Sequence, residues 1–224
     1  MKTPITPLFL VITSVFISSL IVSNIVAVKL VDLWGLTLSA AIVVFPVTYI
    51  FGDIVTEVYG YSRARLVIWL GFFSNFLVVV FIKIGEWLPS ASVWTHQQAY
   101  STVLGYTPRI LVASFVAYLF GEFANSFVLS KLKVLTHGKW LWSRTIGSTV
   151  VGQFIDSGIF ISVAFVGVVP TSILLRIALS QWLFKVGYEA VATPLTYVMV
   201  GALKKREQID AYDYETNFSP LKLL

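Results

Sequence analysis

Asp53, Glu57, Glu122, Asp156, Lys185 and Glu189 interrupt stretches that are otherwise apolar for roughly 20 residues at a time, the length that spans a bilayer. Their spacing groups them with other polar residues. Pro46, Tyr49, Asp53 and Glu57 follow one another at steps of three and four, so a single helical face carries all four. Thr149, Gln153 and Asp156 line up in the same way, as do Gln181, Lys185 and Glu189. Ser114, Tyr118, Glu122 and Asn125 form another stripe, and Ser19, Ser23 and Asn24 a shorter one. Acceptors, donors and one ammonium presented together suit hydrogen bonding to a polar solute. A pore for simple ions does not need such a mixture.

A charged side chain at mid-bilayer costs roughly 2.5–3.5 kcal/mol on insertion scales. Six facing lipid would cost on the order of 15–20 kcal/mol, so they must face one another or a wet cavity. Blander roles exist for each. Lys185 and Glu189 sit at i and i+4 and can neutralise each other. Asp53 and Glu57 can pair with Arg63 or Arg65 at the headgroups, and amides inside spans often join helices. Six buried ionisable groups nevertheless exceed what a small bundle needs. A polar binding cavity is the economical reading.

Enzyme signatures are missing. There is no cysteine, no GxxxxGK[ST] loop and no HExxH, and His96 and His137 fall in predicted loops. No catalytic residue, cofactor or metal site is expected.

The elements that must position these groups follow from composition. Of 224 residues, 57% are hydrophobic and 12% charged; soluble domains usually carry about 25% charged residues. This excludes a soluble enzyme, a disordered chain and a disulfide-stapled secreted module. The expected fold is an all-α integral membrane protein, a bundle of about six transmembrane helices near residues 8–28, 38–58, 65–85, 109–131, 146–168 and 173–202. Residues 1–203 then form one polytopic membrane domain, and residues 204–224 a polar, solvated cytoplasmic tail. Pro46 predicts a kink or local unwinding just before the acids of span two. Trp87, Trp94, Tyr100 and Tyr106 mark an interfacial loop over 86–108, while Trp34, Trp140 and Trp142 flank other spans.

Eleven basic residues (Lys2, Arg63, Arg65, Lys131, Lys133, Lys139, Arg144, Lys204, Lys205, Arg206 and Lys222) fall on the side that holds the N-terminus. Lys29, Lys83, Arg109 and Arg176 fall opposite, which puts both termini in the cytoplasm. Topology thus accounts for the net charge of +5, and no nucleic-acid partner is implied. A three-plus-three repeat is faintly suggested by Asn24…Lys29 against Asn125…Lys131, and by Asp53 against Asp156.

SNIVAVK (residues 23–29), FPVTYIFGDIVTEVYGYSRAR (45–65), ASFVAYLFGEFAN (113–125), WSRTIGSTVVGQFIDSGIF (142–160) and FKVGYEAVATP (184–194) occur in that order. Together they resemble the queuosine precursor transporter family, formerly grouped with vitamin uptake transporters, over about residues 23–201. The resemblance implies a multi-pass protein of the bacterial inner membrane that imports 7-cyano-7-deazaguanine and 7-aminomethyl-7-deazaguanine. The family motif carries over to Asn24, Asp53, Glu57, Gln153, Asp156 and Lys185. The Glu57, Glu122 and Glu189 positions vary among relatives, which implies that they tune selectivity.

Such a ligand fits the residues. A carboxylate can accept from N1–H and the exocyclic amine at once, with Asp156 or Asp53 the candidate. Asn24, Gln153 or Lys185 can donate to O6, and Tyr49, Phe51 or Trp182 can face the ring. The substrate-binding set is therefore Asn24, Tyr49, Asp53, Glu57, Glu122, Asn125, Gln153, Asp156, Lys185 and Glu189. The reading is a secondary transporter working by alternating access on a nucleobase-like solute in the lipid bilayer. A coupling proton or sodium ion (with Glu189 or Glu57 as the acid) and a homodimer are left open. The rivals are a substrate-binding subunit of an energy-coupling vitamin transporter, which needs ATPase partners, and an intramembrane enzyme or assembly protein.

Overall fold

The computed structural model describes residues 5–33, 36–105, 108–167 and 170–222. Lys2, Trp34 and Tyr106 lie outside the described residues. Among those described, five helices are long and apolar enough to cross a bilayer, and the class is the expected all-α membrane bundle. They are α1 (Pro7–Val26), α3 (Tyr61–Trp87), α5 (Pro108–Leu135), α6 (Leu141–Phe165) and α7 (Thr171–Glu207), with α2 (Phe45–Ile54) and α4 (Gln97–Leu104) shorter. Thr6 starts α1 by accepting the Phe9 amide at 3.1 Å, and Pro7 occupies the first turn, where its missing N–H costs nothing. At 1.5 Å per residue the 37 residues of α7 extend about 55 Å, well beyond a ~30 Å hydrocarbon core.

The second predicted span is broken. A β-hairpin of Leu30–Leu33 and Leu36–Ser39, which the sequence did not announce, leads into a 3₁₀ turn at Ala40–Val43. Helix α2 follows, with Pro46 in its first turn. The break falls ahead of Pro46 and not just before the acids, since α2 runs unbroken through Asp53 and proline opens the helix instead of kinking its interior. A second distortion was not legible: Val55–Tyr59 winds as a π-helical turn directly after Asp53. Gly60 ends it at φ 83°, where an added Cβ would lie 3.1 Å from the Ala211 Cβ.

Helices α5 and α6 approach most closely, through reciprocal glycines. A Cβ on Gly121 would lie 2.7 Å from the Asp156 Cβ, and one on Gly152 would lie 2.7 Å from the Asn125 Cβ. Small residues permit close packing in lipid, where apolar burial gives helices little reason to associate. This contact sets Glu122 and Asn125 of α5 beside Gln153 and Asp156 of α6. Gly121→Ala must push Asp156 aside, and overpacking of this kind costs about 1–3 kcal/mol. A lowered midpoint of thermal unfolding in detergent checks that expectation; an unchanged one contradicts it.

Elsewhere Phe9, Ile12, Phe16 and Leu20 of α1 pack on Ile50, Ile54, Val55, Val58 and Val67. Phe73, Phe76, Phe81, Phe120, Phe154 and Val198 face outward, as lipid contact requires. The exposed rings of Trp87 and Trp94 lie on one side of the spans, and those of Trp140 and Trp142 on the other, as expected for interfacial belts.

The segment after α7 departs from the solvated tail that its composition suggested. It folds back against the first turns of α3 and the last turns of α5. Buried Asp213 accepts from the Tyr61 amide at 2.9 Å and from the Ser130 hydroxyl at 2.6 Å. Arg65 donates to the Asn217 and Ser219 carbonyls, both at 2.8 Å, and the Trp69 indole donates to the Pro220 carbonyl. A polar tail finds partners here because the helix ends it covers expose unsatisfied donors and acceptors.

Candidate functional site

The first group of site residues comes from α2, α6 and α7. The Lys185 ammonium lies 2.6 Å from Asp156 Oδ2, so it pairs across helices and not with Glu189 on its own helix. The Tyr49 hydroxyl donates to Gln153 Oε1 at 3.3 Å and also meets the Lys185 ammonium. Phe45 lies one turn before Tyr49 with the two rings nearly parallel, 6.2 Å apart at 6°. The same ammonium sits 5.8 Å above the Phe45 ring, within cation–π range. The Asp156 and Lys185 side chains are partly buried, 25% and 15% exposed. The result is an acceptor pair, an ammonium, a hydroxyl and an amide beside two aromatic faces.

A second group lies deeper. Asn125 Nδ2 donates to Asp53 Oδ1 at 2.7 Å, while Asp53 Oδ2 and Asn125 Oδ1 have no partner. Glu189 is 1% exposed and neither of its carboxylate oxygens is hydrogen-bonded. Its carboxylate interacts electrostatically with that of Asp53. Glu122 packs over Gly52, where an added Cβ would stand 3.6 Å from its Oε2, and interacts electrostatically with Asp156 and Lys185.

Glu57 belongs to a third group, at the basic end of the bundle. Arg144 grips it bidentately, with Nη2 to Oε1 at 2.8 Å and Nε to Oε2 at 3.2 Å, and Lys204 adds a contact at 2.7 Å. Lys133 stands 3.7 Å from the Glu57 carboxylate and donates to its backbone carbonyl. The π turn makes this second contact available, since it takes the local carbonyls out of the regular α-helical pattern. Asp210 of the folded-back tail completes the network, 2.5 Å from Lys133 and 2.9 Å from Lys204. Neither Arg63 nor Arg65 is the partner that sequence proximity suggested for Glu57; its cations come from α5, α6 and α7.

Burial alone would raise the pKa of Asp210, but the two ammoniums overcome it and hold that carboxyl below its ordinary range. A carboxylate depressed in the folded state stabilises tail docking fully above its unfolded pKa of about 4 and loses that contribution as pH falls through the folded value. Acidification should therefore release residues 208–222, read as faster amide exchange or proteolytic cutting there. Asp210→Asn should show fast exchange at neutral pH and a weaker pH response. Equal protection of the tail in both proteins at neutral pH contradicts the docking role.

Asn24 of α1 lies in a different setting. It lines a mostly apolar cleft with Asn75 and Ser114, between α1, α3 and α5. Of the suggested ring partners, Trp182 donates its indole N–H to the Val150 carbonyl at 2.9 Å, and Phe51 packs against the α1 core. Phe45, which did not figure among the sequence candidates, is the ring found beside Tyr49 and Lys185. Arg144 and Lys133 were also missed as buried partners. Both had counted only as loop charges, yet they are 1% and 2% exposed. The WSRTIG string holds Arg144 one turn inside a span, and that position was the available signal.

Comparison with known proteins places the chain in a family. The profile of a family described as "Putative vitamin uptake transporter" matches residues 39–199. A protein of Bacillus subtilis (strain 168) named "Probable queuosine precursor transporter" is 34% identical over 177 residues, covering 78% of this chain and 77% of its own length. A Haemophilus influenzae protein of the same name is 27% identical over 121 residues, 54% of this chain and 49% of its own. No solved structure matches the chain.

Proposed function

Because this chain belongs to the vitamin uptake transporter family, a group of membrane transporters and not of enzymes, we propose that it imports queuosine precursors across the bacterial cytoplasmic membrane by alternating access. The observation that carries the reading is the convergence of Asp156, Lys185, Tyr49 and Gln153 beside the Phe45 ring. A 7-deazaguanine offers two adjacent donors, N1–H and the exocyclic amine, which one carboxylate accepts together. Asp156 takes that edge. Lys185 donates to O6 while the adjacent Asp156 carboxylate still compensates its charge, and Gln153 and Tyr49 close the polar rim. The planar ring lies against Phe45 and Tyr49.

Glu122 favours the aminomethyl form. That substrate carries a cation, and Glu122 is a second carboxylate within electrostatic reach of Asp156. Asp53 and Glu189, each 1% exposed, are sealed in this state, so substrate entry and exit require the helices to part. A site that closes over its ligand and opens by turns to each side is what alternating access needs.

Proteoliposomes containing only this protein test the proposal. They should take up labelled 7-aminomethyl-7-deazaguanine, and excess unlabelled 7-cyano-7-deazaguanine should suppress it. Binding without uptake would transfer the reading to a substrate-binding subunit that needs ATPase partners. Neither binding nor uptake by folded protein would refute the substrate.

A further inference from the structure

The closed middle of the bundle holds more negative charge than positive. Asp53, Glu122, Asp156 and Glu189 contribute four carboxylates, and among the described residues Lys185 is the ammonium found with them. Lys185 is committed to Asp156 at 2.6 Å. The next cations, Arg144, Lys133 and Lys204, are committed to Glu57 and Asp210. Asp53 and Glu189 are thus each 1% exposed with no cation paired to them. One Asp53 oxygen, both Glu189 oxygens and the Asn125 carbonyl oxygen that accompanies them have no donor. Burying an ion without compensation costs several kcal/mol even after relaxation, and two like charges side by side cost more.

We infer that Asp53 and Glu189 form a proton-binding pair whose protonation is a condition for closing the site. Closing around the pair takes up a proton from water, and opening lets the pair ionise and returns that proton to water. The pair is separate from the Asp156–Lys185 contact that meets the substrate. Among the described residues, the charged groups that act on Asp53 besides Glu189 are Glu122 on α5 and Glu57 on the π turn, both carboxylates. Neither donates a hydrogen bond to Glu189 or to the free Asp53 oxygen. The inference rests on the alternating-access reading, because exchange of substrate must pass through the closed state.

Two measurements test it, and the first needs no substrate. Infrared spectra of the purified protein near neutral pH should show the carbonyl stretch of a protonated carboxylic acid, diminished in Glu189→Gln or Asp53→Asn. A spectrum without that band, or with a band unchanged in both variants, overturns the inference. The second is counterflow exchange of labelled substrate in sodium-free proteoliposomes at equal pH on both sides. Wild-type exchange should slow as pH rises, approaching about tenfold per pH unit for a one-proton requirement. Glu189→Gln, a neutral isostere, should exchange with a flattened pH profile, and Asp53→Asn serves if that variant does not fold. Identical pH profiles in wild type and variant, or wild-type exchange that depends on sodium, overturn the inference. The expected infrared change with no exchange of any 7-deazaguanine would leave the proton pair standing and reject the substrate.

Discussion

Asp156→Asn should weaken binding of 7-aminomethyl-7-deazaguanine by about 10²–10³-fold, as titration calorimetry of the purified protein would read it. In the proposed binding mode the carboxylate accepts two hydrogen bonds from the guanine-like edge, and charge-assisted bonds of this type are the strong ones. An amide keeps one acceptor but turns an NH₂ toward the ligand's own donors, leaving a buried donor unmatched. Removing one partner of a buried charged hydrogen bond costs about 2–5 kcal/mol, and each 1.4 kcal/mol is tenfold in affinity. A dissociation constant within threefold of wild type would remove Asp156 from the substrate contact.

The same substitution strands the Lys185 ammonium, which now lies 2.6 Å from its counter-ion. Lost affinity could then reflect a damaged fold. The double variant Asp156→Asn with Lys185→Met separates the two effects. It should recover most of the thermal stability, since no unpaired charge is left, and none of the affinity, since both donor and acceptor are gone. Recovery of binding along with stability would show that the pair matters only to the bundle.

Much of this architecture was legible in sequence because helical periodicity is local. The existence and approximate positions of α1, α3, α5 and α6 follow from spacing within a single segment, although α6 begins at Leu141, earlier than expected, and so takes in Arg144. Which stripes face each other does not follow from it. Lys185 had Glu189 one turn away and still pairs with Asp156, because the α6–α7 contact brings a carboxylate from another helix to its ammonium. The Gly121–Gly152 approach, which fixes Asp156 against α5, depends on two glycines 31 positions apart in sequence acting together. The π turn at Val55–Tyr59 has no composition of its own: VTEVY reads as ordinary helix or strand, and the Lys133 ammonium that meets its Glu57 carbonyl comes from a distant helix. The docked tail was hidden for a related reason. Asp210 and Asp213 look solvated until the helix ends that receive them are assembled.

Arg144→Met should be the most destabilising single change in the molecule, costing about 3–5 kcal/mol, the range for removing one partner of a buried ion pair. Arg144 is 1% exposed and supplies both hydrogen bonds of the bidentate grip on Glu57, while its remaining nitrogen reaches the Thr136 hydroxyl and the Lys139 carbonyl. Without it Lys204 and Lys133 still neutralise Glu57, but the joint between the π turn, α5 and α6 loses its centre. A sharp fall in the midpoint of thermal unfolding in detergent is expected, and a wild-type midpoint would contradict it. Glu57→Gln tests the role from the other side. It removes the shared anion from three cations, so stability must drop. Any protein that remains folded should still bind substrate within about threefold, because Glu57 touches neither Asp156 nor Lys185. The geometry thus places the acid of the DIVTEVYG string at the centre of the basic end, and the two variants together test the proposal that the aspartate of the QFIDS string, and not this acid, meets the solute.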